Sequence, residues 1–200
     1  MGKYSKFRNI VVLGIVLFLS LVLSVGLANA GGDGFISFKL DGKVYKFSDV
    51  AVGGWSLSRG FTAVGAFDSS SEKFILLAFE GKSKGIYSIS LEHLYNQIQY
   101  QDTKNKVWLV AIGDFGSGVI KVNKYGRVGR PITGTFSGTI TDELFGGSGK
   151  HPISGKFKVV RVQDTDTSLK TAPNNSEITN EIEFLKQIVE DTAESVRRME

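Results

Sequence analysis

From Gly34 to Val162 the chain runs as short segments of alternating apolar and polar residues, separated by clusters of Gly, Ser, Asp and Asn. Val119-Ile120-Lys121-Val122-Asn123-Lys124-Tyr125 and Phe157-Lys158-Val159-Val160-Arg161-Val162 carry the period of two that a strand with one wet face requires. Segments 35–40 and 43–47 flank Asp41-Gly42, a pair suited to the two positive φ angles of a type I′ hairpin turn. Further strands are predicted over 61–67, 73–79, 85–90, 107–112, 119–125, 132–141 and 153–162. Phe74-Ile75-Leu76-Leu77-Ala78-Phe79 is apolar throughout, so this strand should be central and covered on both faces. One short helix is predicted over 91–99, where Leu91, Leu94, Tyr95 and Ile98 recur by three and four behind a capping Ser90. About nine short strands at turn intervals of roughly ten residues predict a mainly β fold, an antiparallel β-sandwich or partly closed barrel.

The alternation stops after Val162. Residues 163–176 are polar, contain Pro173 and Asn174-Asn175, and read as a linker. Residues 177–200 then change period. Ile178, Ile182, Leu185, Val189, Thr192, Val196 and Met199 form a heptad-like seam on an amphipathic α-helix, with Ser176 as its cap. A lone helix of this length is marginal in water, so its stripe calls for a partner: its own domain, a second copy or another protein. Its acidic polar face argues against docking on anionic lipid.

At the other end, Lys3, Lys6 and Arg8 precede an uncharged, mostly apolar run over 10–28, and Ala28-Asn29-Ala30 fits a signal-peptidase site. Residues 1–30 are therefore expected to be a signal peptide, leaving a domain over 31–162 in the periplasm or outside the cell. The run is also long enough to span a bilayer. An uncleaved inner-membrane anchor is the alternative, and only then would the protein contact membrane; Gly26, placed to break the helix, favours cleavage. The chain contains 0 Cys, which excludes lipid attachment at a signal-peptide cysteine, disulfides, zinc-thiolate sites and cysteine nucleophiles.

Charge is unevenly spread. The whole chain has 24 Lys and Arg against 20 Asp and Glu, but residues 31–162 have 17 against 11 and residues 163–200 have 4 against 9. Neither the magnitude nor the linear clustering of the basic residues suggests a nucleic-acid partner.

The later strands carry a recurring series: Gly118-Val119-Ile120-Lys121-Val122, then Ile132-Thr133-Gly134-Thr135-Phe136, then Ile153-Ser154-Gly155-Lys156-Phe157. With Asp41-Gly42-Lys43-x-Tyr45 and Gly85-Ile86-Tyr87, this series resembles a family of exported bacterial β-sandwich-like domains of unknown function, many of them lipoproteins. The resemblance covers about residues 35–162 and implies the fold but no activity. This chain departs from it in lacking the lipoprotein cysteine and in carrying the C-terminal helix.

Fragments that imitate catalytic signatures are incomplete. Asp114-Phe115-Gly116 has no kinase catalytic loop beside it. Gly146-Gly147-Ser148-Gly149-Lys150 is followed by His151 where a phosphate loop needs Ser or Thr. Asp164-Thr165-Asp166-Thr167-Ser168 lacks the Gly and closing Glu of a calcium loop. His93 and His151 are too few for most histidine metal sites, and neither has a nucleophile elbow to serve. The paired Asp142 and Glu143, with Asp68, Glu80 and Asp114, read as strand-end carboxylates. No cofactor or metal is implied. The expectation is a non-enzymatic binding or interaction domain of the bacterial envelope, with self-association or partner docking through Ile178, Ile182, Leu185, Val189, Val196 and Met199. The alternative is a small-ligand or glycan-binding domain, in which Trp55, Tyr87, Tyr95 and Tyr100 supply stacking rings. A hydrolase without a recognisable motif ranks third.

Overall fold

The computed structural model describes residues 34–56, 60–102, 104–105 and 107–165. The expected signal peptide, the linker beyond Thr165 and the seam residues of 177–200 lie outside the described residues. The described chain is mainly β. Its strands are β1 (Phe35–Leu40), β2 (Lys43–Phe47), β3 (Val50–Ser56), β4 (Phe61–Asp68), β5 (Lys73–Glu80), β6 (Gly85–Ile89), β7 (Gln97–Asp102), β8 (Val107–Ile112), β9 (Ser117–Tyr125), β10 (Pro131–Thr141) and β11 (Lys150–Thr165). A single 3-10 turn, Glu143–Phe145, interrupts the β10–β11 connection. Among the described residues no helix is long and apolar enough to cross a membrane.

Two strands were not anticipated, and each has a physical reason. Residues 91–99 form turns and then β7 instead of a helix. The three-and-four spacing there joins two unrelated sets of contacts: Leu94 and Tyr95 cover other strands from a loop, whereas Ile98 points into the main core. The strand signal is the alternation of Gln97, Gln99 and Gln101 with Ile98 and Tyr100, which is hard to see because all five are buried. In β3 the Gly53-Gly54 pair resembles a loop, but Gly53 is where side chains crowd. A Cβ there would lie 2.8 Å from a Val64 methyl and 3.1 Å from a Val159 methyl.

The strands hydrogen-bond in the order β2-β1-β11-β3-β4-β5-β7-β8-β10-β9-β6, with β10 also paired to β11. The pairing therefore closes a circuit, β11-β3-β4-β5-β7-β8-β10 and back to β11. One link departs from the antiparallel expectation, since β11 and β3 run parallel, with Val160 opposite Val52 and a register shift between Arg161 and Asp164. Another is slender, a single pair between Thr141 and Val110. With the strands outside the circuit, the pairings form two runs. One comprises six strands in the order β2-β1-β11-β10-β9-β6, and the other comprises β3-β4-β5-β7-β8.

The main core lies between these layers. Ile36, Phe38, Phe136, Ile153 and Phe157 from the first meet Val64, Ile75, Leu77, Ile98 and Leu109 from the second. Burying each such side chain contributes about 1.5–3 kcal/mol relative to exposure. The recurring glycines noted above make room for this core. Phe157 pairs with Gly134 and its ring lies where a Cβ at Gly134 would be; Phe136 pairs with Gly155, flanked on the other side by Phe38. The two motifs that end in phenylalanine thus each set a ring over the glycine of the other. The hairpin expectation also holds, with Asp41 and Gly42 both at positive φ, 51° and 84°.

A buried polar chain ties the far end of β11 to this core. Arg161 Nε donates to Asp164 at 3.0 Å and Nη1 to the Gly126 carbonyl at 3.0 Å, while the guanidinium lies 4.9 Å from the Tyr125 ring centre. The Tyr125 hydroxyl is 2.8 Å from the Thr62 hydroxyl, which donates to the Gly81 carbonyl at 2.7 Å. β11 thus continues past Val162 because Arg161 and Asp164 are both engaged there.

Gly155→Ala tests the ring-over-glycine packing. The added Cβ would stand 2.6 Å from the Phe136 ring and 2.6 Å from the Ser37 carbonyl. The expected outcome is a loss of about 1–3 kcal/mol in urea unfolding, the cost of overpacking. An unchanged midpoint would refute this account of the motif.

Candidate functional site

The four aromatic candidates do not converge. Tyr100 is 4% exposed in the main core, 5.9 Å from Phe38 and 6.0 Å from Tyr45 by ring centres. Tyr95 stacks on Phe61 at 5.3 Å in a second apolar cluster on the other side of the five-strand layer. Tyr87 packs on Phe79 at 4.8 Å and donates to the Ser83 carbonyl. Trp55 lies on β3, not in a loop, with the Lys82 ammonium 5.5 Å from its ring centre. Tyr100, Tyr95 and Tyr87 thus pack on three different phenylalanines, Phe38, Phe61 and Phe79.

The titratable candidates are likewise dispersed. His151 Nδ1 lies 2.6 Å from Asp41, joining β11 to the β1–β2 turn, and His93 Nδ1 lies 2.9 Å from Glu80. Asp142 accepts from the Gly149 amide at 2.7 Å, so its carboxylate organises the glycine-rich turn. Among the described residues no three His, Cys, Asp or Glu side chains could hold a metal ion together.

Where carboxyl pKa values move, structural hydrogen bonds are the cause. The hydroxyls of Ser71 and Ser70 hold Asp68 below its ordinary 3.8, overcoming slight desolvation. Burial opposes charge on Asp102, but hydrogen bonds from Asn105 and the nearby Lys73, at 3.4 Å, outweigh it and lower its pKa. Burial, then the neighbouring Tyr45 and Asp102, push the Tyr100 phenol well above its ordinary range. These groups are locked in single protonation states near neutrality and are unsuited to acid–base exchange.

The feature that stands out is the outer face of the six-strand layer. Strand registers set its side chains in rows. One row reads Lys46, Ser37, Lys156, Thr135, Lys121, Ile86 across β2, β1, β11, β10, β9 and β6. On one side of it lies Val44, Lys39, Ser154, Ser137, Val119, Ser88, and on the other Phe35, Lys158, Thr133, Lys124. Lys39, Lys46, Lys121, Lys124 and Lys156 are exposed, and Lys158 is partly buried. No Asp or Glu occurs in β1, β2, β6, β9 or β10, nor in β11 before Asp164. Asp41 and Asp142, at one end of these strands, are engaged with His151 and the Gly149 amide.

Within the face, Ile86, Val119, Lys121, Thr135, Phe136 and Ser137 line a shallow depression of about 260 Å³. It exists because short hydroxyl side chains stand between the longer ones. The register shift after Thr133 matters as well. It accommodates Asn123 as an extra residue, so Lys124 joins the outer face although it has the sequence parity of the buried Val122.

Sequence reasoning missed this surface. The lysines sit singly in separate strands, and only the register brings them side by side. The available signal was the scarcity of acid: between Phe115 and Gln163 the only carboxylates are Asp142 and Glu143. No family model, no curated protein and no solved structure matches this chain.

The pKa assignments predict how acid acts on the fold. A carboxyl held below its unfolded value contributes stability above that value and loses it as pH falls through the folded pKa. Urea midpoints of the unaltered protein should therefore fall as pH drops below about 4. Asp102→Asn should be less stable than the unaltered protein at pH 5, with the gap narrowing toward pH 2. A gap independent of pH would overturn the assignment for Asp102.

Proposed function

We propose that this protein is a non-enzymatic binding domain whose contact surface is the lysine and hydroxyl face of the six-strand layer, and that its partner is anionic. The observation that carries this reading is the acid-free row of Lys46, Lys156 and Lys121 with hydroxyls between them. Lys46, Lys156 and Lys121, in a row that holds no Asp or Glu, repel one another and draw in an anionic partner, which relieves that repulsion. The N-terminal segment supports contact beyond the inner membrane, in the periplasm or outside the cell. The pairing circuit supports the finer architecture of a partly closed barrel. The heptad-like seam over 177–200 supports self-association or docking to another protein by the tail.

An enzymatic role finds less support. The histidines and shifted carboxyls are dispersed and engaged, and the aromatic rings that favoured a stacking site are spread through the fold. A glycan partner remains compatible, on the lysine face instead of on Trp55 and the tyrosines.

The triple substitution Lys46→Ser, Lys121→Ser and Lys156→Ser provides the test. On a polyacrylate support the unaltered protein should be retained and released by salt, because exposed charges are screened within about 10 Å at 0.1 M. The triple variant should elute at clearly lower salt with an unchanged thermal midpoint, whereas Lys104→Ser, in the β7–β8 turn, should elute with the unaltered protein. Equal elution of all three would refute the proposal.

A further inference from the structure

We infer that the anionic partner is a linear acidic polysaccharide laid across the strands, with one sugar ring seated in the depression beside Lys121 and its carboxylates on the lysine row. This inference rests on the anionic reading above and narrows it. Three features of the face select this chemistry.

The first is spacing. Strands are 4.7–4.9 Å apart, so the backbones of Lys46 and Lys156, and of Lys156 and Lys121, are separated by about 10 Å. The row spans four strand gaps, about 19 Å from Lys46 to Lys121. A polymer with anions at regular intervals meets these charges in sequence, whereas a single small anion meets one.

The second is what stands between the charges. Ser37 and Thr135 alternate with the lysines in the row, and Ser137 and Ser154 lie beside it. Hydroxyls both donate and accept, which suits the hydroxyl groups of a sugar ring. A lipid headgroup layer uses charge and apolar insertion, and here the most exposed apolar side chains, Val44 at 71% and Ile86 at 69%, stand on opposite edge strands. Single-stranded nucleic acid needs aromatic platforms for its bases. The only aromatic residue in the three rows is Phe35, and the Lys46 ammonium lies 5.7 Å from its ring centre.

The third is the depression itself. Its wall combines the aliphatic carbons of Ile86 and Val119 with the ammonium of Lys121 and the hydroxyls of Thr135 and Ser137. A pyranose ring with an apolar C–H face, equatorial hydroxyls and a carboxylate is complementary to all three kinds of group. Lysine, a point charge on a flexible stem, accepts carboxylates at varied angles along a chain.

The experiment uses alginate oligomers of increasing length, titrated against the full chain by calorimetry. Affinity should rise with length until the oligomer spans Lys46 to Lys121 and then level off. Lys156→Ser should weaken binding of the longer oligomers about fivefold, the worth of one charge contact near a surface. Thr135→Val keeps the charge and β-branched shape but removes the hydroxyl. It should weaken alginate binding about fivefold while leaving elution from polyacrylate, which has no sugar hydroxyls, unchanged. Affinity independent of length, or indifference to Thr135→Val, would overturn the polysaccharide assignment. Tighter binding to phosphatidylglycerol vesicles or to DNA of equal charge would overturn it in favour of that partner. Failure on alginate with polyacrylate retention intact would sink this inference alone; failure on both would sink the anionic reading with it.

Discussion

The pairing of β10 with β11 is the constraint on which the other elements depend. Its register runs without a break from Pro131 opposite Val160 to Thr141 opposite Lys150. Because β11 is longer than its neighbours, its free edge serves two strands in succession: β1 up to Lys158, then β3 from Val160. The other edge of the hairpin serves β9 along most of β10 and β8 at Thr141. The five-strand layer is therefore attached at both ends to one hairpin, at opposite corners. A one-residue slip of β11 along β10 would turn Phe157 outward and Lys156 into the core. The glycines opposite Phe136 and Phe157 oppose such a slip, since no other register sets both rings over a position without a side chain.

The two layers use the same alternation for different ends. Both contribute one face to the main core. The outward face of the six-strand layer is wet and basic, whereas that of the five-strand layer holds Leu76, Ala78, Gln99, Val110 and Ile112, all buried. Leu94, Phe115 and Leu144 pack at one part of that second face, and Tyr95 at another. The buried polar residues that β7 places there are glutamines, and Gln99 donates to Gln97 at 2.7 Å, one partner satisfying the other where water is excluded. The mainly apolar face stiffens the fold, and the other face is left available for contact.

This division also explains which parts of the structure were legible in the sequence. Strands with one wet face, such as β9 and β11, declare themselves by alternation, and β8 was bounded at Val107 and Ile112 as found. β5 declared itself by unbroken apolarity. β7 did not, because its glutamines are buried and look like polar positions of a helix, and β3 did not, because Gly53 and Gly54 serve close packing where a sequence reading expects a turn. The proposed contact surface was the least legible part. Its lysines are far apart in the chain, from Lys39 to Lys158, and their adjacency is a property of register alone.

Register thereby links the chemistry of the face to the stability of the core. The side chains at Lys156 and Phe157 are consecutive and point opposite ways, so the interaction that buries Phe157 over Gly134 also fixes Lys156 between Ser37 and Thr135. The bulge at β9 extends the same logic, since Tyr125 is directed inward toward Thr62 and Arg161 while Lys124 is directed outward beside Thr133. The proposed binding surface needs no loop ordering, because the sheet holds the backbone spacing of its charges before a partner arrives. Preorganisation of that kind lowers the entropic cost of binding an extended polymer. The exposed lysine stems retain freedom to follow the positions of the anions. The face therefore combines fixed spacing with adaptable charge, the combination that a regular but flexible anionic chain requires.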